Sequence, residues 1–363
     1  MKIVTILGAR PQFIKAAVVS KTVMKQKGIE EIIVHTGQHY DENMSDIFFD
    51  ELKIPVPSYN LGIGSALHGE QTGRMIEEIE KVLLKERPQM VLLYGDTNST
   101  LAGAIASAKL SLKIAHVEAG LRSFNKSMPE EINRVLTDRV SDMLFCPTTT
   151  SVENLQNEGI RDGIYLVGDV MYDSILYFEN GFHNRTEILE ELNLNEKEIN
   201  QRYILATIHR QENTDTIENL SSILSAMSQI KEEIILPLHP RTKKTIEEEK
   251  LSYKKNIKII EPISYLEMLS LEKNAFMILT DSGGIQKEAF IFGVPCVTFR
   301  DETEWIETVQ TGMNKLTGFS TKRILEAYNE FCLNGVKILQ DAVNYYGNGF
   351  AAKKIVEILG RYL

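Results

Sequence analysis

The chain has 363 residues, of which 43% are hydrophobic and 25% charged, and its formal net charge at pH 7 is −10. This composition is typical of a soluble globular protein, and the length fits two domains. The negative charge argues against a nucleic-acid partner, because binding to a phosphate backbone needs a basic face. No apolar run approaches the length that spans a bilayer, so we expect no membrane association and a cytoplasmic location.

Apolar runs that predict strands alternate with longer amphipathic runs that predict helices. A first series of strands is predicted at 2–7, 31–36, 89–94, 112–117, 142–146 and 163–168, with helices at 75–86 and 100–110. After a more polar stretch at 179–201, a second series is predicted at 202–209, 233–239, 257–263, 275–280 and 295–299, with helices at 217–230 and 284–293. Buried strands that alternate with helices predict parallel sheets covered on both faces.

The pattern therefore predicts an α/β protein with two doubly wound domains, 1–168 and 169–345, followed by an amphipathic helix within 346–363. The three cysteines, Cys146, Cys296 and Cys332, are widely spaced and form no CxxC motif. They predict neither a disulfide framework nor a metal site, and the first two lie in or beside apolar runs that favour buried thiols.

Ligands of open α/β sheets bind beyond the carboxyl ends of the strands, so the polar residues there are the candidates for function. The first strand is followed by GARPQFIK (8–15), which lacks the GxGxxG pattern of dinucleotide binding. Arg10 and Lys15 at the start of a helix favour an anion, and a solvated basic helix start is the alternative.

Acidic residues follow two further strands of the first series. Asp96 lies in GDTNST (95–100) and Glu118 in HVEAG (116–120). A partly buried carboxylate in a cleft is a candidate general acid or base, although Asp96 could instead cap a helix. Glu130 and Glu131 begin a helix, where the helix dipole alone explains one of them.

In the second half, His209 and Arg210 lie together at a strand end, and His239 and Arg241 repeat the arrangement. A lone histidine is more often structural, but its pairing with arginine favours function. In LTDSGGIQKEA (279–289), Ser282, Gly283 and Gly284 lead into a helix, whose N–H groups would cradle a phosphate.

Two residues complete this candidate nucleotide site. Glu288 lies one helical turn beyond the glycines, where its carboxylate could accept hydrogen bonds from ribose hydroxyls. Arg300 begins RDETEW (300–305) after the last predicted strand of this series.

Ten motifs in order resemble the non-hydrolysing UDP-N-acetylglucosamine 2-epimerase family over essentially the whole chain. They are GARPQFIK, TGQH, YGDTNSTLAGA, HVEAGLRS, MPEEINR, HRQEN, HPR, LTDSGGIQKEA, GVPCVTFRDETEW and YGNGFAA. The resemblance implies a GT-B-like fold of two facing Rossmann-like domains with the active site in the cleft between them. It also implies that the C-terminal helix returns to the first domain and that the protein is a homodimer that uses no metal or cofactor.

The implied reaction inverts C2 of a UDP-linked 2-acetamido sugar, as in the conversion of UDP-GlcNAc to UDP-ManNAc, and would supply precursors of surface polysaccharide. Family members are thought to eliminate UDP to a bound glycal and to add it back. The motifs that carry the family's functional residues match here at the catalytic positions Asp96, Glu118, Glu130 and His209, at the basic pair Arg10 and Lys15, and at the UDP contacts Ser282, Gly283 and Glu288.

Three departures from the general family pattern make this sequence resemble the branch of the family that acts on UDP-2,3-diacetamido-2,3-dideoxy-glucuronate. Gln12 replaces the acid of GTRPE, Trp305 replaces the arginine of ERPE, and QHYDENM (38–44) replaces QHR. Arg122, Asn125 and Lys126 are candidates to bind the additional carboxylate. The alternatives are a GT-B glycosyltransferase with a UDP-sugar donor, a 2-epimerase that hydrolyses its substrate, and a non-catalytic nucleotide-sugar sensor.

Overall fold

A computed structural model describes residues 1–38, 54–194, 202–335 and 345–362. The chain divides into two compact units, one formed by Met1–Tyr177 with Asn344–Leu363 and the other by Phe178–Val343. Each unit contains a parallel β-sheet with helices. Within the described ranges, no helix has the length and apolar character needed to cross a membrane.

In the first unit, the described strands form one parallel sheet in the order β3-β2-β1-β4-β5-β6-β7. These strands are β1 (Lys2–Leu7), β2 (Glu30–His35), β3 (Tyr59–Asn60), β4 (Met90–Tyr94), β5 (Lys113–Val117), β6 (Met143–Cys146) and β7 (Ile164–Leu166). The chain reverses its direction across the sheet between β1 and β4. This is the topological switch point, where open α/β sheets bind ligands.

Helices connect the strands of this unit and close the chain. They are α1 (Arg10–Val23), α2 (His68–Glu86), α3 (Asn98–Lys109), α4 (Pro129–Val140), α5 (Thr149–Asn157), α6 (Val170–Phe178), which ends at the boundary between the units, and the helix Ala351–Gly360 at the C-terminus.

The second unit has a parallel sheet in the order β10-β9-β8-β11-β12-β13, so its switch point lies between β8 and β11. The strands are β8 (Tyr203–Thr207), β9 (Glu233–Pro237), β10 (Ile257–Ile260), β11 (Met277–Thr280), β12 (Cys296–Thr298) and β13 (Asn314–Leu316). A short 3-10 helix, Glu179–Gly181, begins the unit. Its helices are α7 (Arg185–Glu191), α8 (Gln211–Thr214), α9 (Ile217–Met227), α10 (Pro240–Glu248), α11 (Tyr265–Asn274), α12 (Gly283–Phe292), α13 (Ile306–Gln310) and α14 (Thr321–Asn334). In chain order, the C-terminal helix Ala351–Gly360 is therefore α15.

The strands predicted from apolar runs are confirmed, with ends that differ by a few residues. Central strands such as β4 are buried at every position, which is why they appear in the sequence as uninterrupted apolar runs. Apolar runs do not predict β3 and β13, because each strand is only two or three residues long and contains polar residues. Cys146 and Cys296 are buried free thiols, as predicted.

The last helix, α15, packs against α1 within the first unit and begins at a carboxylate on α6. The Asp173 side chain accepts hydrogen bonds from the backbone N–H groups of Ala351 at 3.1 Å and Ala352 at 2.8 Å. These N–H groups lie in the first turn of the helix and have no acceptor within it. Burial raises the pKa of Asp173 to about 6, because desolvation outweighs the two backbone hydrogen bonds.

The raised pKa of Asp173 predicts a pH-dependent stability. The folded protein holds this proton more tightly than the unfolded chain, so the stabilisation is present below about pH 4 and is lost as the pH rises through about 6. We expect the difference in unfolding free energy between the wild type and Asp173→Asn to fall by about 1–3 kcal/mol between about pH 4 and about pH 7. Urea unfolding measures it, with Asp162→Asn at an exposed position as control. A difference that does not vary with pH would contradict the prediction.

Candidate active site

The carboxyl ends of β1, β4 and β5 bring together the basic and acidic residues predicted for the first unit. Lys15 on α1 and Glu118 after β5 form an ion pair, and their side chains are only 11% and 7% exposed. Between them lies Gly95, with φ +62°, where an added Cβ would lie 3.2 Å from the Lys15 Nζ and 3.3 Å from a Glu118 carboxylate oxygen. A side chain at position 95 would crowd both groups and would have to adopt a left-handed backbone conformation, so this position favours glycine.

Glu118 itself adopts an unusual backbone conformation, with φ +72°. Positive φ is uncommon for a residue with a side chain, and it costs about 1 kcal/mol or more. The N–H groups of Glu118 and Ala119 both donate to the carbonyl of Phe145 on β6, at 3.0 and 3.1 Å. The neighbouring strand thus holds the carboxylate at the edge of the sheet.

Asp96 is not the N-cap of α3, so the structural alternative for this residue is wrong. Thr97 caps the helix, with its side chain accepting from the N–H of Thr100. The Asp96 carboxylate instead binds the Arg134 guanidinium from α4, and its side chain remains 30% exposed. Its carbonyl accepts a hydrogen bond from the Asn133 side chain at 2.9 Å. Asp96 is therefore an accessible carboxylate paired with a buried arginine.

Glu130 and Glu131 in the first turn of α4 have different environments. Glu131 is buried and accepts hydrogen bonds from the N–H groups of Ser123 at 2.9 Å and Phe124 at 3.0 Å. It also forms an ion pair with Arg134 at 3.0 Å. It therefore fixes the preceding loop, a larger role than the helix-dipole interaction alone. Glu130 is half-buried, which leaves its carboxylate as the one of the pair that solvent can reach.

Arg122, considered above as a partner for a substrate carboxylate, is already fully engaged. Its side chain is 1% exposed and forms a two-point ion pair with Glu158, at 2.7 and 2.8 Å, and a contact of 2.7 Å with Asp138. A buried arginine with two carboxylate partners cannot also bind a sugar carboxylate, so that hypothesis is wrong for Arg122. Of the other two candidates, Lys126 is exposed, and the Asn125 side-chain oxygen accepts hydrogen bonds from Ser127.

Gln12, the first departure from the family pattern, uses both ends of its amide. Its oxygen accepts from the N–H groups of Gly8 at 2.8 Å and Ala9 at 3.0 Å. Its Nε2 donates to the carbonyl of Tyr94 at 2.9 Å and to the Thr100 hydroxyl at 3.0 Å. A carboxylate could accept the first two bonds but could not donate the others. Gln12 therefore ties β1 to β4 next to Arg10, which lies in the first turn of α1.

In the second unit, Asp281 at the end of β11 organises the residues that follow β8. Its carboxylate is fully buried and accepts from the backbone N–H groups of His209 at 3.1 Å and Arg210 at 3.0 Å, and from the Asn213 side chain at 3.0 Å. The His209 ring is 57% exposed, with Nε2 3.6 Å from the same carboxylate. The two strands at the switch point are thus joined, with His209 projecting from the edge of the sheet.

The helix α12 begins where the phosphate cradle is predicted. Ser282 is its N-cap, with the side chain accepting from the N–H of Ile285, and Gly283 and Gly284 form the first turn. A Cβ at Gly283 would lie 2.3 Å from a carboxylate oxygen of Glu304, whereas one at Gly284 would meet no atom closer than 3.8 Å. Arg300 pairs with Glu304 at 2.9 Å, and both side chains are almost fully buried.

Glu288 and His239 have partners of their own. Glu288 is buried and accepts a hydrogen bond from the Tyr265 hydroxyl at 3.1 Å. His239 is exposed and caps α10, with its Nδ1 accepting from the N–H of Arg241 at 3.2 Å. Arg241 in turn pairs with Asp215 at 3.0 Å. Substrate binding by His239 stays a prediction.

Several residues that contact the candidate site residues were not predicted from the sequence. They are Asp138, Arg134 and Asn133 in the first unit, and Asp281, Lys287 and Glu304 in the second. Arg134 lies four residues after Glu130 and Asp281 directly precedes Ser282. Their positions next to selected motifs were the available signal.

The contacts of Gln12 predict that the family's acid is unfavourable here. In Gln12→Glu, a carboxylate oxygen replaces the amide donor and faces the Tyr94 carbonyl. We expect the free energy of unfolding at neutral pH to fall by about 1–3 kcal/mol, measured by chemical denaturation. Gln26→Glu, at an exposed position, is the control. Unchanged stability of Gln12→Glu would show that the Nε2 hydrogen bonds contribute nothing.

The chain is similar to proteins of one family along its whole length. The family model described as UDP-N-acetylglucosamine 2-epimerase matches residues 21–360. A UDP-N-acetylglucosamine 2-epimerase homolog from Methanococcus maripaludis is 56% identical, over 99% of both chains. The UDP-2,3-diacetamido-2,3-dideoxy-D-glucuronate 2-epimerase of Pseudomonas aeruginosa is 52% identical, over 99% of this chain and all of that one.

Solved structures agree with this assignment. The UDP-GlcNAc 2-epimerase of Methanocaldococcus jannaschii, in complex with UDP-GlcNAc and UDP, is 47% identical and covers 99% of this chain and 100% of its own, with a TM-score of 0.91. The expected α/β fold class is confirmed by the two parallel sheets and by these neighbours, whose fold is GT-B-like. Family model, relatives and structures together establish that the chain belongs to the UDP-N-acetylglucosamine 2-epimerase family and is an isomerase.

Proposed function

We propose that this protein inverts the configuration at C2 of a UDP-linked 2-acetamido sugar by eliminating UDP and adding it back. The observation that carries the proposal is the group of paired charges at the carboxyl ends of β1, β4 and β5. There, Glu118 binds Lys15 and Asp96 binds Arg134. Acid–base chemistry needs such carboxylates, and loss of UDP needs cations that stabilise the developing charge.

The C2 proton of the sugar is not acidic, since no carbonyl stands beside it, so its removal must accompany loss of UDP. In our proposal, the carboxylates Asp96, Glu118 and Glu130 provide the base and the acid. The ammonium of Lys15 pairs with the mostly buried carboxylate of Glu118 and lies where it can also meet an anionic group of the substrate. Arg10, one turn earlier on α1, adds a second positive charge.

The second unit would bind the UDP group. The first-turn N–H groups of α12 and the guanidinium of Arg300 are suited to phosphate oxygens, and Glu288 is suited to ribose hydroxyls. The carboxylate of Asp281 holds the backbone of His209 and Arg210 and leaves the histidine ring exposed for contact with substrate. We also propose that His209 takes part in catalysis. Domain 1–168 would carry the acid–base groups, and domain 169–345 would bind UDP.

For the substrate, we favour the 2,3-diacetamido-2,3-dideoxy-glucuronate form of the UDP-sugar. The departures at Gln12 and Trp305 and the relative from Pseudomonas aeruginosa at 52% identity support this choice. The additional carboxylate needs a cation or hydrogen-bond donors, and of the three residues named above Lys126, on the exposed part of the loop, is the remaining cation and Asn125 is a candidate donor. The product would serve synthesis of surface polysaccharide.

Proton NMR in D2O tests the reaction directly. The purified protein is incubated with UDP-GlcNAc and with UDP-2,3-diacetamido-glucuronate in separate tubes, and a third tube contains the glucuronate with a trace of UDP-GlcNAc to test whether the latter activates the enzyme. We expect loss of the C2 proton signal and appearance of the manno form in the glucuronate tube. Conversion of UDP-GlcNAc alone would refute the substrate choice, free sugar would indicate a hydrolase, and no exchange in any tube would refute the epimerase.

Replacement of Glu118 tests its assigned role. Glu118→Gln should slow deuterium exchange at C2 by about 10²–10⁴-fold, because the amide neither takes up nor donates the proton. Glu153→Gln, at an exposed position on α5, is the matched control. Circular dichroism checks that the variant is folded, since it leaves Lys15 without its carboxylate. Near-normal exchange in a folded Glu118→Gln would remove Glu118 from the mechanism.

A homodimer is also proposed. Ile132, Leu136 and Val140 are spaced by four residues on α4 and are 48%, 46% and 40% exposed, which makes an apolar stripe suited to a subunit contact. We expect the wild type to have the mass of a dimer and Leu136→Glu to be monomeric in light scattering after gel filtration. Leu333→Glu, exposed on α14, is the control. A monomeric wild type would contradict the proposal.

A cytoplasmic location belongs to the same proposal. Cys146, Cys296 and Cys332 are all free in the structure, as expected where thiols are kept reduced.

A further inference from the structure

The buried histidine on β5, His116, contacts two groups that can only accept hydrogen bonds. Its Nδ1 lies 2.7 Å from a carboxylate oxygen of Asp138, and its Nε2 lies 2.7 Å from the carbonyl oxygen of Gly95. The side chain is 0% exposed, so water does not compete for either nitrogen. A neutral imidazole has a single N–H and could satisfy only one of these acceptors.

The groups around the ring favour the second proton on the histidine rather than on the carboxylate. Asp138 also accepts from Arg122 at 2.7 Å and from the N–H of Gly120 at 3.0 Å. Burial acts to raise the pKa of Asp138, but the hydrogen bonds and charges of His116 and Arg122 outweigh it and hold that pKa below its usual value. Arg122 is shared with Glu158, so one guanidinium faces two carboxylates.

An imidazolium at His116 makes this cluster electrically neutral. Asp138 and Glu158 contribute two negative charges, and Arg122 and His116 contribute two positive charges. On the neighbouring strand β6, burial raises the pKa of the Cys146 thiol to about 12, so this further titratable group stays uncharged. The Glu158 side chain is 28% exposed, so its charge is partly solvated, and the doubly protonated ring follows from the two hydrogen-bond contacts of its nitrogens.

Two backbone groups that this cluster binds lie next to the proposed catalytic carboxylates. Gly95 directly precedes Asp96, and its carbonyl is held by the His116 ring. Gly120 follows Glu118 by two residues, and its N–H is held by Asp138. His116 and Asp138 therefore connect the turn after β4, which carries Asp96, to the turn after β5, which carries Glu118.

We infer that His116 is held as an imidazolium in the folded protein and is a positioning residue, which fixes the backbone that carries Asp96 and Glu118. The charge of the ring follows from the hydrogen-bond geometry alone. Its effect on turnover rests on the proposed function. Positioning acts through the geometry of reacting groups, so it should appear in kcat more than in KM.

The charge is measured by ¹⁵N NMR of the full-length protein with labelled histidine, with His116→Gln used to assign the ring signals among the seven histidines. We expect both ring nitrogens of His116 to remain protonated from about pH 6 to about pH 9, whereas an ordinary histidine loses its second proton in this range. A ring with one proton anywhere in this range would overturn the inference.

Asp138→Asn removes the negative charge of this side chain but keeps its shape. The amide can donate to Nδ1, so a neutral ring with its proton on Nε2 satisfies both contacts and the protein can keep its fold. We expect His116 to change from two ring protons to one in this variant at neutral pH. A ring that stays doubly protonated would show that Asp138 does not hold the charge, which overturns the account.

Turnover of the same variants tests positioning. We expect kcat for C2 exchange to fall about 10–100-fold in His116→Gln, with KM changed less than about 3-fold, and to fall less in Asp138→Asn, which keeps both contacts of the ring. His183→Gln, a histidine whose side chain is 43% exposed, is the control and should keep the wild-type kcat. Normal kcat in folded His116→Gln would refute the positioning role. Lack of exchange in the wild type would instead refute the proposed function and leave the charge measurement valid.

Discussion

The buried ion pair of Lys15 and Glu118 is the interaction on which the first unit's candidate site depends. Burial of a charge is costly unless a partner and further hydrogen bonds compensate it, and such a pair often adds little net stability. Its presence at the edge of the sheet is therefore better explained by chemistry than by folding. The pair also affects its surroundings: it favours glycine at position 95 and it links α1 to the turn after β5.

Other charged side chains near this pair are also compensated by ion pairs. Asp96 is paired with Arg134, Arg134 with Glu131, and Arg122 with Asp138 and Glu158. The two partly exposed carboxylates of these pairs, Asp96 and Glu158, each contact a more deeply buried arginine. These partners come from α4, the end of α5 and the loop before α4. All three segments are therefore needed to hold the proposed acid and base in place.

The sequence predicted most of the sheets but only part of the site, for physical reasons. Buried parallel strands such as β4 are apolar throughout and are easily found, whereas β13, with sequence NKL, is not. Asp96 and Glu118 were found because they directly follow strands. Asp138 was not, because it lies near the end of an amphipathic helix, where a carboxylate is usually solvated, and only the tertiary fold places it beside His116. His239 shows the opposite problem, since its position after a strand does not reveal that its ring caps α10.

The second unit compensates charge differently, and the departure at Trp305 illustrates this. Glu304 approaches the start of α12 so closely that a side chain at position 283 would displace its carboxylate, although the backbone conformation there does not require glycine. This carboxylate is favourable at the positive end of a helix, and Arg300 balances its charge. Where the family often has an arginine, Trp305 lies buried with the Lys287 ammonium 4.0 Å from its ring centre. An aromatic face attracts such a cation, so a positive charge is retained near this helix by a different pair of residues.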